Sequence, residues 1–165
     1  MSDHRDHPTP FDSARFRQVL GHFPTGVVVV TAVDDGTPVG LAIGSFASVS
    51  LDPPLVGFFP NKASASWPRI QRAGSFAVNV LGQHQEAVCR TFAAKGGDKF
   101  AAIGWKPGRS GAPILDDVVA TIECDVGDVF DTGDHYFVVG KVVAMEVLNE
   151  GAPLVFFRGG YTSLA

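Results

Sequence analysis

Pro53 and Pro54 follow the run 40–52, and no strand passes through them, because each ring removes a backbone donor and ends the ladder. The run opens as apolar β-type sequence and then loads one strand with Gly44, Ser45, Ala47, Ser48 and Ser50. A core strand fills its inward positions with Val, Ile or Leu. Small side chains here leave room instead, and they line it with hydroxyls and backbone polar groups that a ligand can approach. The run is therefore expected to be a shelf that holds a flat, polar-edged ligand against a sheet.

Glycine and proline punctuate β-rich runs along the rest of the chain. Residues 26–33 are a β-branched strand expected to be buried on both faces, and Asp34-Asp35-Gly36 is a hairpin signal that turns it back antiparallel into the shelf. Before it lies a short helix, with Thr9 as cap, Pro10 at the first helical position and Asp12 complementing the dipole. Phe16, Val19, Leu20 and Phe23 form its apolar stripe, and Gly21 and Pro24 end it. Further strands are expected over 55–59, 76–81, 118–130, 136–148 and 153–157, with short helices over 64–73 and 83–94, the latter using Ala87, Val88, Thr91 and Phe92 as one side. Many short strands with two or three helices at the ends suggest a mostly β fold, a barrel with helical plugs.

With 165 residues, 45% hydrophobic and 18% charged, the chain has a globular composition and the length for one well-buried domain. Residues 1–8 read as a flexible polar tail and 9–165 as the domain. A net charge of −4 with no basic stripe argues against nucleic acid as a partner. No apolar run approaches the roughly 20 residues of a membrane span, and the polar start lacks a signal-peptide core, so a cytoplasmic location is expected. Cys89 and Cys124 show neither a CxxC nor a metal-ligand spacing and read as two buried thiols.

The chemical inventory lacks a GxSxG nucleophile elbow, a GxGxxG fingerprint and a phosphate loop; Lys95-Gly96-Gly97-Asp98-Lys99 is not one. His4 and His7 sit in the tail, His22 and His84 lie on or beside helices, and no set of residues has metal-ligand spacing, so no metal is expected. Three clusters remain. His135 follows a Thr-Gly-Asp turn at the mouth of two long strands, where a rigid scaffold can place a working side chain; a turn histidine bonded to local backbone is the plainer alternative. Lys62, Ser64 and Ser66 put a cation and two hydroxyls at a helix start, which favours an anion such as phosphate; the alternative is an ordinary cap with a solvated lysine. Arg158 and Tyr161 flank two flexible glycines, and the alternative there is a strand end.

Taken in order, these pieces resemble the flavin reductase family with the FMN-binding split-barrel fold, over about residues 16–162. The carriers are Phe23-Pro24-Thr25-Gly26-Val27, residues 45–50 with Asp52-Pro53-Pro54, Asn61-Lys62-Ala63-Ser64, residues 76–81, Asp98-Lys99-Phe100, Gly133-Asp134-His135 and residues 153–161. Each motif is weak alone; their order and spacing carry the match. The chain is similar to reductase components of two-component flavin-dependent monooxygenases acting on aromatic or steroid-like compounds. The resemblance implies a split β-barrel, Greek-key-like, working as a homodimer with flavin near the subunit interface.

It also implies roles. Gly44, Ser45, Phe46, Ala47, Ser48, Val49 and Ser50 would lie along the flavin ring and ribityl chain. Lys62, Ser64 and Ser66 would meet the flavin phosphate, with Lys99 and Phe100 near the same ligand. His135, Arg158 and Tyr161 would serve the nicotinamide nucleotide, with His135 closing over it. Gly44 departs from the larger polar residue many members carry there and removes one side-chain donor near the ring. The expected reaction is hydride transfer from NADH to FMN or FAD, with the electrons carried by the flavin, so the missing triad and metal are no obstacle. The protein's part is to hold two rings face to face at about 3–3.5 Å and exclude water. No basic cluster awaits a 2′-phosphate, which favours NADH over NADPH. The rival readings are a flavin carrier or store on the same barrel, and an oxidase like those acting on pyridoxine phosphate. The oxidase would want more cations around a second phosphate than Lys62, Arg69 and Arg72 provide.

Overall fold

Asp12 caps the first helix: its carboxylate accepts the Arg15 N–H at 2.8 Å, and α1 spans Ser13–Leu20. Thr9 and Pro10, and the tail before them, lie outside residues 12–164 that the computed structural model describes. The stripe Phe16, Val19, Leu20 and Phe23 is present, each residue at least half exposed.

The strands that follow are β1 (Thr25–Gly26), β2 (Val28–Asp34), β3 (Thr37–Ile43), β4 (Ala47–Leu51) and β5 (Pro54–Phe58). After α2 (Trp67–Ala73) and β6 (Ser75–Val80) come α3 (Glu86–Ala93) and a small hairpin of β7 (Trp105–Pro107) and β8 (Pro113–Leu115). The long pair β9 (Ala120–Thr132) and β10 (His135–Val147) and the closing pair β11 (Leu154–Phe157) and β12 (Gly160–Ser163) complete the described chain. The β2–β3 turn is the hairpin anticipated at Asp34-Asp35-Gly36. Asp34 pairs with Thr37, and Asp35 and Gly36 take φ of 49° and 75°, the left-handed pair that matches strand twist.

Residues 40–52 are not one strand. They break at Gly44-Ser45-Phe46 into β3 and β4, which occupy opposite edges of a seven-stranded antiparallel sheet ordered β3-β2-β6-β9-β10-β5-β4. Six inter-strand gaps of about 4.8 Å would set the edges of a flat sheet about 29 Å apart, whereas the four-residue step from Ile43 to Ala47 spans at most about 14 Å. The sheet must therefore curl until its edges approach. No ladder joins β3 to β4 among the described residues, so the curled sheet is split along that seam. A separate sheet, β1-β11-β12, stands beside it.

Burial alternates along β2 with period two. Val28, Val30 and Ala32 enter a core inside the curl, while Val27 and Val29 enter a second core beneath α3; the two-sided burial expected for this strand is what the fold uses. Phe58 meets Trp67 and Phe76 edge-on in the first core at 5.8 and 5.4 Å, and α2 plugs it with Trp67 and Ile70. In the second, α3 buries Cys89 and Phe92. The side predicted for this helix was rotated: Ala87 and Thr91 are exposed, and Cys89 takes the inward place. Both cysteines are free and buried, and burial pushes the Cys124 thiol up to about 12.

The hairpin end of β2 holds α2 by charge. Asp34 accepts from Arg72 Nε and Nη2 at 3.0 and 2.5 Å and from Arg69 Nε at 3.2 Å. The Arg72 hydrogen bond, opposed by desolvation and aided by Arg69, holds the Asp34 carboxyl below its ordinary value. A carboxyl depressed in the folded state contributes stability above its unfolded pKa, near 3.9, and loses it as pH falls through the folded value. Acid titration of the melting temperature should therefore drop more steeply below about pH 4 in the parent than in Asp34→Asn, which starts lower at neutral pH. Parallel curves would remove the clamp from the account.

Candidate functional site

β4 is a sheet edge, so one row of its backbone N–H and C=O groups is unpaired. Gly44, Ser45, Ala47, Ser48 and Val49 are exposed around it, with Phe46 and Ser50 partly buried. A Cβ on Gly44 would meet only Thr25 Oγ1, at 3.4 Å, so the backbone there is open. Ser45 is not a free hydroxyl: its Oγ accepts the Phe59 N–H at 3.0 Å, which pins the break between β3 and β4 to the end of β5.

That bond carries the shelf into its neighbours. Beyond β5, the Pro60 carbonyl accepts from Tyr136 N at 3.0 Å and Lys62 N donates to the Asp134 carbonyl at 2.9 Å. Asn61 bridges His135. Lys62, Ser64, Ser66 and His135 are thus gathered with Ser45 at one end of the sheet. Lys62 Nζ lies 2.5 Å from Asp131 Oδ1 and over the Tyr136 ring. Asp131 is exposed, and a surface pair of this kind is weak enough for another anion to compete with it. Ser64, not Ser66, caps α2, accepting the Ser66 and Trp67 amides at 3.2 Å each, while the Ser66 hydroxyl makes no cap bond. His135 Nδ1 sits 2.7 Å from Asp134 Oδ1. This hydrogen bond is the main reason the Asp134 carboxyl lies below its ordinary value.

Sequence reasoning passed over a stack of aromatics beside this region. Phe59 stacks on Phe137 with centroids 4.9 Å apart, and Phe137 on Phe130 at 6.0 Å; Gly57 leaves the space that Phe137 fills. The signal was present as a Phe just past the end of β5 and one in each of β9 and β10, but only strand order brings them together.

The remaining candidates lie on the flank. Phe100 packs edge-on to Phe92 at 5.0 Å and against Gly40, four residues along β3, roughly 13 Å, from Gly44. Lys99 Nζ donates to the Phe92 carbonyl at 3.0 Å, and burial lowers its pKa. Arg158 and Tyr161 do not form a cluster. The Arg158 guanidinium lies over Phe157, whereas the arginine over the Tyr161 ring is Arg90, at 5.0 Å. Tyr161 OH meets Cys89 Sγ at 3.2 Å, and burial, then that contact, pushes the phenol up to about 12. Cross-strand pairing explains the split: Phe156 stands opposite Tyr161 while Arg158 occupies the positive-φ turn. Among the described residues no His, Cys, Asp or Glu group could hold a metal ion, and no helix is long and apolar enough to cross a membrane.

An open strand edge, small side chains, and a cation with two hydroxyls at one end suit a flat ring with an anionic tail. Residues 20–165 match the family model described as flavin reductase like domain. The chain is 51% identical over 155 residues to a flavin reductase of Pseudomonas putida, covering 93% of this chain and 91% of that protein. It is 48% identical to the reductase subunit of a flavin-dependent monooxygenase from Rhodococcus jostii, covering 93% and 78%. The fold superposes with a TM-score of 0.90 on a Streptomyces globisporus NADH:FAD oxidoreductase in complex with NAD and FAD fragments, at 37% identity over 95% of each chain.

Proposed function

The chain belongs to the flavin reductase like domain family, and we propose that it uses NADH to reduce FMN or FAD laid along residues 44–50, supplying reduced flavin to a separate monooxygenase. The observation that carries this reading is the β4 edge, whose exposed small residues are tied by Ser45–Phe59 and Lys62–Asp134 to a cationic, hydroxyl-bearing end. When bound, the flavin supplies the electron-accepting chemistry and the nicotinamide the hydride. The chain's own groups do the rest. Unpaired backbone amides of β4 and the Ser48 and Ser50 hydroxyls face developing negative charge along the ring. Lys62, Ser64 and Ser66 hold the phosphate end, where the Ser64 oxygen already accepts two amides and its proton is left to donate. His135, oriented by Asp134, closes the nicotinamide side. Lys99, Phe100, Arg158 and Tyr161 bound the approach from β3 and β12.

One chain leaves the shelf open, and a homodimer would cover it. The exposed stripe on α1, together with Val143, Met145 and Val147 where β10 runs on past its pairing with β5, is the apolar area available for a second copy. Light scattering should give twice 17.4 kDa. Two free, buried thiols support a reducing, cytoplasmic site of action.

The test is loss of NADH absorbance at about 340 nm, a property of the cofactor, with FMN and then FAD. Oxidation above the no-protein rate is expected with at least one flavin; none with either would favour a flavin carrier. His135→Ala should lower kcat/KM for NADH about tenfold, the loss of one hydrogen bond of roughly 1.4 kcal/mol, with flavin affinity kept. Unchanged kcat and KM would remove His135 from the site.

A further inference from the structure

A recess of about 310 Å³ opens on the other side of the sheet from the curled core and shares no residue with the shelf. Arg109, Thr121, Glu123, Ala144, Met145 and Glu146 line it. Ile122 packs against the first core, so Thr121 and Glu123 on β9 face the opposite way, beneath the hairpin of β7 and β8. Thr121 pairs across the ladder with Glu146 and Glu123 with Ala144, which places the four on one surface.

Two observations mark this recess as built to take a ligand. Glu123 is 6% exposed, yet among the described residues its carboxylate has one hydrogen bond, a 3.4 Å contact in which Oε1 accepts the Ser110 amide. Thr121 is 8% exposed, and its hydroxyl is buried with no partner among the described residues. The hairpin is shaped around the carboxylate: a Cβ on Gly108 would stand 2.4 Å from Glu123 Oε1. An enclosed carboxylate held by so little is stabilised by a cation. Arg109 lines the recess and enters no ion pair among the described residues, and its one positive charge against Glu123 and Glu146 leaves the lining one negative charge in excess.

We propose that this recess binds a guanidinium or alkylammonium head on an aliphatic stem, the head against Glu123 with the Thr121 hydroxyl as acceptor, the stem along Ala144. The ligand class is set by charge and shape alone and does not depend on the flavin assignment. The test is a ¹⁵N NMR titration of the full chain with n-butylguanidinium, n-butylammonium, an acetylated and amidated Ala-Arg-Ala peptide, and uncharged n-butylurea. The amides of Ser110, Thr121, Glu123 and Glu146 should shift saturably with the cations and not with the urea. Glu123→Gln should weaken binding at least tenfold, and Thr121→Val, which keeps the shape, should weaken it severalfold. Tighter binding of the peptide would identify a protein side chain as the source, and equal binding a small molecule. Absence of saturable shifts, equal shifts with n-butylurea, unaltered affinity in both variants, or binding seen only in Arg109→Ala would overturn the proposal, the last by showing that Arg109 itself fills the recess.

Discussion

Ala47→Leu should weaken flavin binding at least tenfold in a fluorescence titration while leaving the melting temperature within about 2 °C of the parent. Ala47 opens β4 opposite Gly57 and is exposed, so the added isobutyl group enters solvent and not the core. Surface changes of this kind cost folding less than about 0.5 kcal/mol. The same group in the path of a ring laid along the strand edge forces the ligand away from its backbone partners, an overpacking cost of about 1.4–3 kcal/mol, or roughly ten- to 150-fold in Kd. Position 47 is a cleaner probe than Ser45, whose replacement would also release the Phe59 amide and so loosen the fold. Normal binding by a folded Ala47→Leu would make the strand an ordinary exposed edge and move the flavin elsewhere.

What the residues disclosed and what they hid follow from the range of the interactions. Asp35-Gly36 announced its turn because a two-residue connection with both φ positive is a local demand. The two-sided burial of β2 was readable because a β-branched run with no polar face has no other stable place. The break at Gly44 was not: the same small residues that suggest a ligand shelf also let the chain leave one sheet edge and start the other, and only the strand order decides between a continuous strand and a crossing. The gathering of Lys62 with His135 is likewise non-local, since it rests on Lys62–Asp134 and Asn61–His135 contacts between residues 72 and 74 positions apart in the sequence. Family resemblance supplied that link where spacing could not. Arg158 misled because adjacency through two glycines suggests proximity, whereas a hairpin turn sends its two ends to different neighbours and gives Tyr161 to Arg90. The β7–β8 hairpin, with strands of three residues between Pro and Gly, carries no periodic signal at all; it is held from outside.

That external hold makes the second large effect. Asn79→Ala should cost about 3 kcal/mol and lower the melting temperature by roughly 6–12 °C. Asn79 is fully buried in β6, and its Oδ1 accepts the Leu115 N–H at 2.8 Å. Its Nδ2 donates to the carbonyls of Val29 and Pro113 at 3.1 and 3.3 Å and to Thr31 Oγ1 at 3.1 Å, while Thr31 Oγ1 donates to the Pro113 carbonyl at 2.6 Å. One side chain thus fastens β8 to β2 and β6. Truncation strands the Leu115 amide in a site closed to solvent, and an unsatisfied buried donor alone costs about 1–3 kcal/mol. The hairpin should loosen before the rest. Trp105 on β7 is partly exposed and Trp67 is buried in the first core, so in Asn79→Ala the Trp105 emission should shift to the red while the Trp67 contribution stays, and the Leu115 amide should exchange faster than those of β2. A variant that melts within 1–2 °C of the parent with a protected Leu115 amide would show that apolar packing of Ala112 and Ile114 on Ala77, not the polar row, holds the hairpin down.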